Sequence, residues 1–270
     1  GSMNVSATSL SLVATSGLIG GSDTGNGNAD ANDNAIEITV STLAANAESG
    51  IYVSEMDGLT VTTVAAVTVD IESVVRVNFN STTTDVSEDL TVSSLEDLST
   101  DTDGPVKLVS LAGSLTIDGG SGGPGVSANG AGDVLIEARG AGSDVIINAD
   151  VISGTGNITL DAGNDLDVNA ALTSGGSGTI YLTSVSNTTI DSQLTSNTGD
   201  ILVEVGGDIT QTASITSTSG DVGLIAGGSL NQTSNGDITT GGDVLVSAGA
   251  DWTMAGDAVI TAVGNVVGEA

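Results

Sequence analysis

A glycine followed by a short polar residue and an aliphatic one returns at near-constant intervals through the second half of the chain. The instances are Gly132-Asp133-Val134, Gly156-Asn157-Ile158, Gly178-Thr179-Ile180, Gly199-Asp200-Ile201, Gly220-Asp221-Val222, Gly242-Asp243-Val244 and Gly264-Asn265-Val266, spaced 24, 22, 21, 21, 22 and 22 residues apart. Gly104-Pro105-Val106, 28 residues before the first, reads as an eighth. A fixed period of this length is the mark of a solenoid, in which each repeat buries its apolar side against the next. Gly132, Gly156, Gly178, Gly199, Gly220, Gly242 and Gly264 then form a structural column at one turn of successive coils.

Each period holds three short apolar-polar runs. In the coil that opens at Ile201 they are Ile201-Leu202-Val203, Ile209-Thr210-Gln211 and Ile215-Thr216-Ser217. Runs this short cannot make an independent sheet. Separated by Gly, Asn and Asp, they suit a chain that stacks each run on its equivalent one period later. The third run repeats as Leu172-Thr173, Leu194-Thr195, Ile215-Thr216, Ile238-Thr239 and Ile260-Thr261, with the aliphatic residue inward and Thr outward. No helical periodicity competes. The expected fold is all-β, a parallel β-helix with three short strands per coil of ~22 residues. An ordinary β-sandwich also has many short strands but needs no fixed period.

The organisation expected is a cloning scar at residues 1–3, irregular solenoid coils with insertions over 4–103, and a regular solenoid over 104–270, truncated at its C-terminus. Candidate strands in the irregular part are Ile36–Val40, Ile51–Val53, Leu59–Val61, Val67–Val69 and Val75–Val77, and residues 85–103 are acidic and rich in Ser and Thr. A separate small β-domain there is the alternative. The Gly-rich stretch 119–132 reads as an extended turn. The chain stops at Val266–Ala270, one strand into a coil, which predicts end-to-end association through unpaired strand edges.

Composition narrows function. There is no His and no Cys, and the aromatics are Tyr52, Phe79, Tyr181 and Trp252. The core must come from Val, Ile, Leu and Ala, the residues of buried parallel strands. Three basic residues face 34 acidic ones, for a formal charge of −31. That surface repels nucleic acid and anionic membrane and attracts cations. The regular hydrophobic pattern argues against acidic disorder. No run is apolar for long enough to make a transmembrane helix.

The units Gly156-Asn-Ile-Thr-Leu-Asp-Ala-Gly-Asn-Asp-Leu-Asp-Val-Asn169 and Gly199-Asp-Ile-Leu-Val-Glu-Val-Gly-Gly-Asp-Ile-Thr-Gln211 resemble the β-helical shafts of filamentous-haemagglutinin-type adhesins and giant repetitive bacterial surface proteins. The resemblance implies a right-handed helix, export across the outer membrane to the cell surface or medium, and a role in adhesion or surface architecture. Expected partners are adjacent repeats of the same polypeptide and glycans or proteins of host or neighbouring cells, with no nucleic acid and no membrane insertion.

The expected function is therefore a structural shaft, not an enzyme. A carbohydrate-binding or carbohydrate-degrading β-helix is the alternative. Lyase chemistry needs a strong base beside clustered carboxylates, and the bases are only Arg76, Lys107 and Arg139. Arg139 follows Glu137 by two residues on one face, which reads as a surface ion pair. Without His or Cys there is no triad or thiolate mechanism. Calcium is the one cofactor the sequence leaves open. Asp23, Asn26, Asn28, Asp30 and Asp33 lie in an oxygen-rich, glycine-spaced stretch with the look of a calcium loop, though Asn34 stands where an EF-hand has its bidentate Glu. Ice-binding solenoids resemble one another in paired Thr columns. Here the Thr column is single, since the positions two residues earlier are Ala171, Gln193, Ser214, Asp237 and Val259.

Charge sets one further expectation. Asp200, Asp221 and Asp243 fall in one column, ~4.8 Å apart, and should repel by about 1 kcal/mol per pair in water. Outward splay, backbone N–H donors or bound cations must offset this. A second corner, Asp144, Asp165, Asn187, Asp208, Ser229 and Asp251, interrupts the charge with neutral residues.

Overall fold

The computed structural model describes residues 3–21 and 34–270. Its regular elements are all strands, and 28 of them join in one largely parallel sheet that winds on itself as a β-solenoid. In the regular part each strand pairs in parallel with the strand three places on. Val134–Ala138 lies on Ile158–Ala162, Val145–Ile147 on Leu166–Val168, and Val151–Ser153 on Leu172–Ser174. The first-run register continues without a shift from Val106–Ser110 to Val266–Glu269.

Alternation decides which side of each run is buried. Val134, Ile158, Ile180, Ile201, Val222 and Val244 stack inward, none more than 2% exposed. Ile136, Leu160, Leu182, Val203, Leu224 and Val246 form a second ladder, each 0% exposed. Burying one such side chain contributes roughly 1.5–3 kcal/mol. The residues between them face out, as the two-residue period of a strand requires. In the third run Leu172, Leu194, Ile215 and Ile238 are buried and Thr173, Thr195 and Thr216 are half-buried, as the pattern predicts.

The glycine column is required by close stacking of backbone on backbone. A Cβ on Gly178 would lie 2.0 Å from the carbonyl oxygen of Gly156, and one on Gly199 would lie 2.2 Å from that of Gly178. Gly104 belongs to the column, since the same construction on Gly132 meets its carbonyl at 2.2 Å. A buried hydroxyl column satisfies these carbonyls. Ser153 donates to Gly132 at 2.7 Å, Ser174 to Gly156 at 2.8 Å, Ser196 to Gly178 at 2.9 Å and Ser217 to Gly199 at 2.8 Å. Thr240 donates to Gly220 in the same way. Without these donors a row of buried C=O groups would lack side-chain partners at the turn.

The solenoid extends into the N-terminal part. Val5–Ala14 pairs with Ile36–Ala47, Leu18–Ile19 with Gly50–Glu55, and Gly50–Glu55 with Val106–Ser110, all parallel. Two expectations need correction. Val67–Val69 and Val75–Val77 are parts of one strand, Val67–Val77, which pairs antiparallel with Thr83–Val92 outside the main sheet. This hairpin is an insertion rooted by mutual backbone hydrogen bonds between Val64 and Leu95. It also absorbs part of the acidic stretch. The Gly-rich stretch 119–132 is not all turn, because Val126–Ala128 is a strand that lies between Leu98–Thr100 and Val151–Ser153. With two flanking rungs to pair with, a three-residue run overcomes its glycine-rich surroundings.

Candidate binding surface

The corner carboxylates are held by the backbone. At a corner the chain leaves the strand ladder, and an N–H there needs another acceptor. The side chain one coil earlier supplies it. Asp200 Oδ1 accepts from the N–H of Asp221 at 2.8 Å, Asp221 Oδ1 from that of Asp243 at 2.7 Å, and Asp243 Oδ1 from that of Asn265 at 2.6 Å. The column begins with Asp133 accepting from Asn157 and Asn157 from Thr179. The second corner repeats the device through Asp144, Asp165, Asn187 and Asp208. Asp or Asn serves equally, because both offer an oxygen at the same position. Backbone N–H donation, one of the offsets expected for the charged column, is present at each of its three Asp residues.

Beside this column runs a groove of about 530 Å³. Its floor is the outward column of the first run, where Leu202, Gly223, Leu245 and Val267 follow one another in register. Gly223 has no side chain, so the column is notched between two leucines. Leu245 is 39% and Val267 55% exposed. Asp200, Asp221 and Asp243 line one side. The carboxylates are legible in the sequence and the groove is not. Its only signal was a glycine in a column otherwise reading Leu135, Thr159, Tyr181, Leu202, Leu245 and Val267.

The other candidates lie apart from it. Arg139 grips Glu137 through Nε at 2.6 Å and through its terminal nitrogen at 3.0 Å, as the sequence suggested. Asp161 stacks on Glu137 one coil later, and burial, then the Glu137 charge, pushes its pKa up. Asp23, Asn26, Asn28, Asp30 and Asp33 lie outside the described residues. Among the described residues no three or more carboxylates gather closely enough to hold a metal ion.

Three buried polar residues, Glu55, Gln211 and Gln232, stand outside the apolar periodicity of the sequence. Glu55 is 0% exposed, with Oε2 accepting from the N–H of Val40 at 3.2 Å and Oε1 from those of Met56 and Asp57 at 3.0 and 3.2 Å. Burial first, then the Asp57 side chain, pushes its pKa up to about 7. Gln211 and Gln232 are also 0% exposed. Gln232 donates to Gln211 Oε1 at 3.0 Å and accepts from the Trp252 indole at 2.8 Å, forming a ladder across three coils. A polar residue at an inward position of a run is the signal that could have found Gln211 and Gln232.

No family model, no curated protein and no solved structure matches this chain.

Proposed function

We propose that the chain is a stiff, non-catalytic shaft segment of a larger bacterial surface or secreted protein of the adhesin kind, wound in right-handed coils of three strands each. The observation that carries the reading is the unbroken first-run register from Val106 to Val266. A rod that repeats one cross-section suits spacing better than chemistry, because catalysis needs several different groups converged in a cleft. Adjacent repeats are the first partners of such a rod. Its strong negative charge keeps rods apart in solution. The shaft would hold other domains away from the cell to meet glycans or proteins on a facing surface.

Two experiments test this. In single-molecule pulling, a shaft peels coil by coil, each coil of ~22 residues releasing roughly 75 Å of contour. Featureless extension at low force would contradict the mechanical role. Antibodies raised against the chain should label intact cells of the source organism. Labelling only after lysis would overturn the surface assignment.

A further inference from the structure

We infer that the groove over Gly223 is a docking site for an extended, basic amphipathic segment of a partner protein, with apolar side chains on the Leu202–Leu245 floor and Lys or Arg over the carboxylate row. This adds a partner to the shaft and is independent of where the shaft resides.

Two independent features coincide at this place. The first is the notch. Gly223 is the only glycine in the register between Leu135 and Val267, and the leucines on either side leave apolar surface open to solvent. The second is charge. The same corner column carries neutral Asn157 and Thr179 in earlier coils, so its run of three consecutive carboxylates occurs only beside the notch. None of the chain's three basic residues lines the groove. Each carboxylate already has Oδ1 engaged by a backbone N–H, which fixes its orientation without neutralising it. A ligand with both an apolar side and cationic groups matches this surface; a neutral or acidic one leaves the row unanswered.

Length favours a peptide. Four coils span three rises of ~4.8 Å, or about 14 Å, the reach of about four extended residues. Alternate side chains of such a segment point the same way and can seat two apolar groups astride the notch. The long stems of intervening Lys residues let their ammonium groups reach the row at the side.

The test uses a fluorescently labelled peptide of alternating Lys and Leu, seven residues long, and measures anisotropy against the full chain. Gly223→Leu fills the notch and keeps every charge. A Cβ at Gly223 meets only the flexible tip of Leu202, at 2.9 Å, so the fold has room to adjust. Leu245→Asn, at an exposed position, is a second variant that spoils the floor without adding bulk. Each should weaken binding at least tenfold, as should Asp200→Asn, Asp221→Asn and Asp243→Asn together. A peptide with Ser in place of Leu should bind at least tenfold more weakly. Undiminished binding by both Gly223→Leu and Leu245→Asn, or by the Ser peptide, would reduce the interaction to diffuse attraction by a polyanion and overturn the proposal. So would a neutral glucose oligomer that binds the groove where the peptide does not.

Discussion

The backbone N–H of Asp243 donates to Oδ1 of Asp221, one coil earlier, at 2.7 Å. The two carboxylates therefore stand close in a column whose electrostatics oppose it, and the geometry of the corner keeps them there. A hydrogen bond to a charged acceptor contributes roughly 1.5–3 kcal/mol. That exceeds the ~1 kcal/mol that neighbouring charges repel by in water. An acceptor oxygen is what the corner needs, since neutral Asn157 and Asn187 accept the same N–H at equivalent positions.

Asp221→Asn should therefore keep the fold and leave stability unchanged or raised by up to about 1 kcal/mol, since it retains the oxygen and removes the middle charge. Asp221→Ala removes the acceptor and should cost about 1 kcal/mol. Denaturant melts of both variants decide it. Equal loss in both would mean that the charge itself matters.

Salt reports the same balance. The thermal midpoint should rise with added NaCl, because screening relieves a chain of charge −31. The rise should be smaller in the variant with Asp200, Asp221 and Asp243 all changed to Asn. An identical rise in both would place the repulsion elsewhere on the surface.

Backbone stacking makes a sharper demand. Gly178→Ala drives a methyl against the Gly156 carbonyl and the Ser174 hydroxyl, and should destabilise by about 3 kcal/mol. Gly256→Ala meets nothing within 4 Å and should be neutral. Calorimetry of the pair separates stacking from the general effect of replacing glycine.

Glu55 predicts a dependence on pH. Its folded pKa, about 7, stands above the ordinary value of 4.5. Between those values the folded chain holds a proton that the unfolded chain has lost, so stability falls as pH rises. The contribution is fully present below 4.5 and is gone once pH passes through about 7. Its size is at most about 3 kcal/mol. Glu55→Gln cannot titrate, so the stability of the natural chain relative to this variant should decline from pH 5 to pH 8. A difference that stays flat would show that Glu55 is ionised throughout.

Much of this architecture is legible in the sequence, and what is hidden follows a pattern. The Gly132-to-Gly264 column, the alternation within Ile201–Val203 and the outward Thr173–Thr261 line are periodic, and a period survives without coordinates. The hairpin Val67–Val92 was hidden because its strands copy the apolar alternation of coil strands, and pairing direction leaves no mark on such a pattern. Val126–Ala128 was hidden because its strand character comes from the rungs on either side. The Ser153-to-Ser217 column was visible as a repeat, but only stacking reveals that its hydroxyls face the glycine carbonyls. The groove depends on an absence, the side chain that Gly223 lacks, which acquires meaning only between Leu202 and Leu245.

Residues ~22 apart lie directly above one another, one strand spacing per coil, and spin-label distances read that spacing. The chain has no cysteine, so labels can be placed singly and in pairs. Ser127, Ile152, Thr173, Thr195, Thr216, Thr239 and Thr261 form one outward line by register. From Ser127, mean distances of ~14 Å to Thr195, ~24 Å to Thr239 and ~29 Å to Thr261 are expected, growing by ~4.8 Å per coil. Distances that fail to grow linearly with coil number, or that scatter over tens of ångströms, would contradict this stacking.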